Sequence, residues 1–400
     1  MAYTTTTGAG GTSLIGTSGV DTISNSGNAF PLFVGSQGGN DTVSLTGNFT
    51  TGTFRLGGGN DILTTTSKYT SGTIQGDNGN DDINLTGAVQ HASSTIKGGS
   101  GNDSITFAAS STFKNGFLNG NAGADDIDVI AVNGSKILGG AGNDAINAGA
   151  MTNSSTVNGN KGNDTIIITG AVSSNSSVFG GAGNDTISET NDGALIFYGD
   201  LGNDSLVGGT STDSLFGGEG KDTIVGGNGA DTISGGAGND SLTGGTAADT
   251  ISGGAGADVL DGGTEGAVVD TLTGGAGADT FKSLGVTGTA GTASTALGTV
   301  ITDFSVAEDR LDLDVTTFGG ALQANVGASE THGTYYAVSG TFAASTGVFT
   351  VSSIANGGFD TMIAKIHSTS DIFDVAADSG SQVAILDGVL ATAITTANII

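Results

Sequence analysis

Seven aspartates, Asp204, Asp213, Asp222, Asp231, Asp240, Asp249 and Asp258, follow one another at a constant interval of nine residues. Around each sits a frame such as Gly235-Gly236-Ala237-Gly238-Asn239-Asp240-Ser241-Leu242-Thr243. The first six places read as a turn, in which three glycines open backbone angles closed to other residues and leave carbonyl oxygens uncovered. The sixth-place aspartate adds a carboxylate, and hard oxygen donors in a loose cage suit calcium better than magnesium or zinc. The last three places alternate polar, apolar, polar, a short strand with one buried face. A turn and a strand make half a coil, and successive coils stack their parallel strands about 4.8 Å apart.

The same phase runs through the first half of the chain at about twice the interval. Frames recur with their aspartate at 21, 41, 61, 81, 103, 125, 144, 164, 185 and 204, 19 to 22 residues apart, one full coil each. Val34, Phe54, Ile74, Ile96, Leu118, Ile137, Val157, Val178 and Phe197 stand two places before the next frame. Ile23, Val43, Leu63, Ile83, Ile105, Ile127, Ile146, Ile166 and Ile187 hold the eighth place. Each long coil therefore has two inward-facing strands, and its second turn reads as a polar loop such as Thr152-Asn153-Ser154-Ser155-Thr156.

Because turns stack on the turns one coil away, the aspartates divide into two columns. The long one is Asp21, Asp41, Asp61, Asp81, Asp103, Asp125, Asp144, Asp164, Asp185, Asp204, Asp222, Asp240, Asp258 and Asp279; the short one is Asp213, Asp231, Asp249 and Asp270. With one calcium between successive turns, fourteen turns hold thirteen ions and four hold three, sixteen in all. Their +32 offsets a formal charge of −29, so the acidity is largely that of a metal-free metal protein. Without metal, stacked carboxylates repel by roughly 1 kcal/mol per pair in water and more near a protein surface. Calcium binding and folding are thus expected to be one event.

The frame G-G-x-G-x-D-x-U-x, with U a large apolar residue, resembles the nonapeptide of RTX (repeats-in-toxin) calcium-binding proteins of type I secretion, over roughly residues 16–314. The frames at 98–106, 139–147, 180–188, 226–234, 235–243 and 274–282 are complete. Those at 208–216, 244–252 and 262–273 depart from it by a missing fourth-place glycine or by extra residues, which weakens the expectation of calcium in the short column. The resemblance implies an all-β, right-handed parallel β-roll with a β-rich C-terminal cap. The divisions are an N-terminal segment (1–15), a long-coil roll (16–198), a roll of consecutive nonapeptides (199–282), and a cap and secretion-signal region (283–400). Val300-Ile301-Thr302-Asp303-Phe304 and Asp309-Arg310-Leu311-Asp312-Leu313-Asp314 look like the segment that follows the roll in secreted RTX proteases and in some RTX surface-layer proteins.

Function classes narrow accordingly. Ten basic against thirty-nine acidic residues argue against nucleic acid, and the lack of a run of eighteen apolar residues argues against membrane insertion. The N-terminus shows no signal peptide, so the chain either stays inside or leaves by another route, and without cysteine calcium can replace disulfides as the staple of an exported protein; the resemblance implies an uncleaved C-terminal export signal. His91, His332 and His367 lie in no metalloprotease motif, and His91, in Val89-Gln90-His91-Ala92, is expected to face solvent on a polar loop. No nucleophile elbow or P-loop is present, and paired carboxylates such as Asp81-Asp82 diverge on a strand. The expectation is a non-enzymatic, secreted or cell-surface structural protein that forms a homo-oligomer or polymer, an extracellular layer or filament. An uncovered strand edge at the first coil is the expected contact. An adhesin meeting a cell-surface glycan is the alternative, and a secreted hydrolase the third reading.

Overall fold

The computed structural model describes residues 4–8, 11–25, 32–46, 49–66, 68–87, 90–173, 175–190, 193–263, 269–282, 299–303 and 308–311, with further strands at 335–343, 348–351, 360–365 and 383–386. Every regular element among them is a strand. They form two compact units, Met1–Ser205 and Leu206–Ile400.

In the Met1–Ser205 unit, coils stack as a parallel β-solenoid, in register with the sequence rows. Val34 lies beside Phe54, Phe54 beside Ile74 and Ile74 beside Ile96, and so on to Phe197. The row from Ile23 to Ile187 stacks likewise. Residues of both rows are 0–1% exposed. β-Branched side chains at alternate positions fill this narrow interior and favour the extended backbone.

The second turn is not a bare loop, as expected above. It carries a third inward row, on strands of two or three residues at Tyr69, His91 and Phe113 and at the far ends of eight-residue strands at Val132 and Met151. Tyr69, His91, Phe113, Val132 and Met151 are its buried members, and His91 pairs with Phe113, Phe113 with Val132 and Val132 with Met151. The corner that follows holds Gly72, Ser94, Gly116, Ser135, Ser155 and Ser176, and its residue tracks the size of the third-row side chain. A Cβ on Gly72 would lie 2.2 Å from the Tyr69 hydroxyl, and one on Gly116 would lie 2.3 Å from the Phe113 ring. Where the row holds His91, Val132 or Met151, the corner is serine and its hydroxyl staples coils together. Ser135 donates to the Phe113 carbonyl (3.0 Å) and accepts from the Gly116 N–H (3.0 Å), and Ser155 donates to the Val132 carbonyl (3.1 Å).

At its start this unit is partly covered. Thr4–Gly8 folds antiparallel onto Gly11–Ile15, which pairs in parallel with Leu32–Gly35. Thr22–Asn25 pairs with Thr42–Leu45 on one side and, among the described residues, with no strand on the other. The uncovered edge expected at the first coil is therefore confined to one of its faces.

In the Leu206–Ile400 unit the coil shortens to eighteen residues, for instance from Leu215 to Ile233 to Ile251 on one face and Ile224 to Leu242 to Leu260 on the other. The stack continues past the last frame, with Ile301 beside Leu272 and Leu311 beside Phe281. Thr299–Ile301 pairs with Val383–Leu386, which joins an antiparallel set of Asp360–Lys365, Tyr335–Ala343 and Val348–Val351. This is the expected β-rich cap.

Candidate metal centres

The turns form where glycine permits a backbone that other residues resist. Gly238, fourth in its frame, has φ +139°, and a Cβ there would lie 1.8 Å from the Gly220 carbonyl oxygen one coil away. First-place glycine is needed for a different reason. A Cβ on Gly235 would lie 2.3 Å from Oδ2 of Asp240 in its own frame and 2.7 Å from the Gly253 carbonyl oxygen of the next coil. Two oxygen acceptors thus converge on the space that the missing side chain leaves.

The sixth-place aspartates stack as the sequence predicts within each unit. From Asp21 to Asp204, each backbone N–H donates to Oδ1 of the aspartate one coil on, at 2.6–2.9 Å. In the second unit one ladder runs Asp213, Asp231, Asp249, Asp270, every step at 2.8 Å. A second runs Asp222, Asp240, Asp258, Asp279 at 2.8–3.0 Å. The irregular frames at 208–216, 244–252 and 262–273 keep this ladder. Ala247 does so by adopting φ +87° at a fourth place.

All eighteen aspartates are 0–3% exposed. Oδ1 is satisfied by the ladder, but Oδ2 of Asp41, Asp61, Asp81, Asp103, Asp125, Asp144, Asp164, Asp185, Asp231, Asp240, Asp249, Asp258 and Asp279 has no hydrogen-bond partner in the protein. A buried carboxylate oxygen facing a carbonyl oxygen, with no donor between them, requires a cation or a proton. Burial pushes the carboxyls of Asp61, Asp103, Asp144 and Asp249 up to about 7, against the lowering effect of the ladder hydrogen bond. It pushes Asp81, Asp125, Asp185, Asp204, Asp231 and Asp258 up to about 6. Among the described residues no three His, Cys, Asp or Glu side chains converge, so the donor set is a carboxylate column with backbone carbonyls. Many neutral oxygens and few carboxylates form a calcium-type cage, and the residues present fit that ion.

A second ladder was not anticipated from the sequence. Asn40 Oδ1 accepts from the Asn60 N–H (2.9 Å), Asn60 from Asn80 (3.0 Å) and Asn80 from Asn102 (2.9 Å), and the pattern recurs from Asn143 to Asn203. It bonds in the opposite sense to the aspartate ladder, so neighbouring fifth and sixth places clamp each turn to the coil before and the coil after. The repeated Asn-Asp pair of the frames is the signal that marks it. His91 corrects another expectation. It is fully buried in the third row, edge-on to Phe107 with ring centroids 5.5 Å apart, and neither ring nitrogen has a hydrogen-bond partner. A single apolar-facing position flanked by polar residues gives no alternation to read, so a strand only three residues long passes for a loop.

The RTX calcium-binding nonapeptide repeat family, in four-copy form, matches residues 93–109, 136–150, 173–188, 198–233, 234–265 and 266–283. These segments of the chain carry RTX calcium-binding nonapeptide repeats. The matched segments fall on aspartate turns of both units, and the RTX ladder continues upstream of them to Asp21. Among solved structures the chain is similar to a hyperactive, Ca2+-dependent, β-helical antifreeze protein from an Antarctic bacterium. The identity is 24%, the TM-score 0.41, and the match covers 67% of this chain and 84% of that one. It is also similar to a subunit of the Azotobacter vinelandii mannuronan C5-epimerase, at 25% identity and a TM-score of 0.24, covering 48% of this chain and 78% of that one. No curated protein matches the sequence.

Proposed function

We propose that this RTX protein is a secreted structural protein that folds on meeting extracellular calcium and self-assembles into a surface layer, matrix or filament. The observation that carries the calcium dependence is the column of buried Oδ2 atoms without protein partners. The eighteen aspartates are the proposed ligands, with carbonyl oxygens of the glycine turns, and one ion per pair of successive turns gives about sixteen. A fold with so many cation-dependent turns suits a compartment rich in free calcium, which supports export as the resemblance implies. No catalytic role is assigned. The side of Thr22–Asn25 that pairs with no strand among the described residues supports assembly, because such a strand edge is a template for another chain. Light scattering behind size-exclusion chromatography, and electron microscopy of the same fractions, test it. Large ordered assemblies in calcium that dissolve in chelator are expected; a monomer in calcium at high protein concentration would remove the assembly reading.

One observation favours adhesion as a second reading. Arg55 reaches Asp77 through two hydrogen bonds, at 3.0 and 2.9 Å, in a surface concavity also lined by Gln37, Gln75, Asn78 and Ser100. Paired charges and amides of this kind suit the hydroxyls of a glycan. Glycan-array binding by calcium-loaded monomer that Arg55→Ala abolishes would favour this reading.

A further inference from the structure

In the Met1–Ser205 unit the second place of the frame alternates from coil to coil. Gln37, Asp77, Asn121, Asn160 and Asp200 carry side chains there, and Gly57, Gly99, Gly140 and Gly181 stand between them. All nine have positive φ, +72° to +78° at the residues with side chains and +96° to +135° at the glycines. The alternation has a steric cause. A Cβ on Gly57, Gly99, Gly140 or Gly181 would lie 2.1–2.3 Å from the carbonyl oxygen of the side-chain-bearing residue one coil before. Side chains therefore fit only in every second coil. The five that are present are half-exposed or exposed, so this face carries ridges and glycine troughs with a period of two coils, about 9.6 Å.

Packing does not require these side chains. The Leu206–Ile400 unit places glycine at the second place of every frame, from Gly209 to Gly275. A side chain held at positive φ is strained, and strain without a packing need points to a role for the side chain itself. The neighbouring outward residues carry matching chemistry. Asn119 and Asn158 accept through Oδ1 from the N–H groups of Asn121 (3.0 Å) and Asn160 (2.7 Å), which orients their amides and leaves donors to spare. Towards one end, Arg55 holds Asp77 from Nε (3.0 Å) and Nη2 (2.9 Å) in a concavity of about 500 Å³ lined by Gly57 and Gly99. Towards the other, the half-exposed rings of Phe179 and Tyr198 stack on adjacent coils, within 8° of parallel and 4.8 Å apart.

We propose that this face is a track for one linear, neutral polysaccharide of β-1,4-linked hexopyranoses running along the stack. The inference rests on the adhesion reading and extends it from the Arg55 concavity over eight coils. In an extended β-1,4 chain each sugar is turned over relative to the last, so like groups recur at every second sugar, a length close to two coils. Each disaccharide then meets the same ridge and trough. Amides on the ridges donate to and accept from ring hydroxyls, and the glycine troughs admit the sugar rings. Phe179 and Tyr198 offer apolar surface to sugar C–H groups. Asp77 and Asp200 repel a uronate chain, which makes the ligand a neutral one.

Titration calorimetry of the full chain in calcium tests the track, with β-1,4-linked glucose, mannose and N-acetylglucosamine tetramers and octamers as probes and a mannuronate octamer as the charged control. For one neutral series the octamer is expected to bind at least about tenfold more tightly than the tetramer, because it engages further ridges at once. The Asn121→Gly/Asn160→Gly variant is expected to lose that gain while tetramer binding at the Arg55 concavity persists. Glycine already serves at this place in alternate coils, and an unchanged circular dichroism spectrum would report an intact fold. Equal affinity for tetramer and octamer, or an octamer gain that survives the variant, would overturn the track and leave the adhesion reading standing. Mannuronate bound more tightly than every neutral octamer would overturn it too. Binding of no oligomer at all would remove both the track and the adhesion reading beneath it.

Discussion

In the Met1–Ser205 unit one corner of each long coil is an aspartate turn, and the other is a serine or glycine corner behind a third apolar row. In the Leu206–Ile400 unit the nonapeptide coils place aspartate turns at both corners. The first design gives part of each coil a protein-only means of support: stacked Tyr69, His91, Phe113, Val132 and Met151, and hydroxyls that bond across coils. The second removes one to four residues per coil and with them the third row, leaving two apolar rows and two carboxylate ladders. Shorter coils are more regular but lean more heavily on the cation. The expected consequence is uneven calcium dependence along one continuous repeat pattern.

The largest effect should follow metal removal. In chelator, far-ultraviolet circular dichroism is expected to lose most of its β signal, because buried carboxylates that stack at every coil lose their counter-charge. Hydrogen exchange read by mass spectrometry sharpens the comparison. Residues 206–263 should exchange near the unfolded rate, while 113–156 keep slower amides around the Ser135 and Ser155 corners. Equal loss of protection in both regions would break the contrast, and an unchanged β spectrum would break the calcium dependence itself.

Acidity should reveal the same columns from the other side. In metal-free protein the turn aspartates have raised folded pKa values, about 6 to 7 for Asp61, Asp81, Asp103, Asp125 and Asp144, against an ordinary carboxyl near 4. A raised carboxyl contributes stability below its unfolded pKa and loses it as pH climbs through the folded value. Metal-free protein should therefore be most ordered near pH 4 and lose structure towards pH 7. His91 acts in the opposite sense, since burial lowers it to about 4, but it is a single group against a column. Calcium inverts the trend, because it competes with protons for the same oxygens. Melts with calcium and with chelator at pH 4.5, 6 and 7.5 should cross; parallel curves would show that the aspartates are not the metal ligands.

Glycine substitutions separate the two kinds of corner. Gly235→Ala drives a methyl against Asp240 Oδ2 and the Gly253 carbonyl, and should cost about 3 kcal/mol together with calcium affinity. Gly116→Ala meets the Phe113 ring, and should cost about 2 kcal/mol with calcium affinity unchanged. Equal loss of calcium in both variants, by titration calorimetry, would dissolve the distinction.

How much of this could be read from residues alone depends on repetition. The aspartate columns and the rows ending at Phe197 and Ile187 are legible because each recurs in phase over nine coils or more. The third row is not, because its strands at Tyr69, His91 and Phe113 have only two or three residues and its members, Tyr69, His91, Phe113 and Met151, share no chemistry beyond fitting one slot. Asp309, whose Oδ1 accepts from the Asp279 N–H at 3.0 Å, escaped for the reverse reason: it has the right register but no glycine frame, and 283–308 separate it from the last repeat. Register across a gap is a property of the folded stack.

His91 offers a test of the third row that calcium does not touch. Two buried ring nitrogens without partners are costly, so His91→Leu should stabilise the loaded protein by about 1 kcal/mol and reduce its sensitivity to acid. His91→Phe should gain nothing alone, since phenylalanine in this row is matched by glycine at the corner and Ser94 stands there. His91→Phe with Ser94→Gly should recover the gain. If the single and double phenylalanine variants melt together, the size coupling between row and corner is absent.

The smallest effect concerns the irregular frames. Ala247 holds a fourth place at φ +87°, where the regular frames of its unit put glycine, as at Gly229 and Gly238. A side chain in this left-handed region costs about 1 kcal/mol. Ser211, the fourth-place residue of the frame ending at Asp213, does not adopt positive φ and carries no such strain. Ala247→Gly should therefore raise the melting point of calcium-loaded protein by a few degrees, whereas Ser211→Gly should lower it slightly by loosening the unfolded chain. The ladder bond from Asp249 to Asp270 is already 2.8 Å, so calcium stoichiometry should not change in either variant. An ion gained with Ala247→Gly would mean that the short column is incomplete in the natural sequence, and that its alanine marks a turn the metal skips.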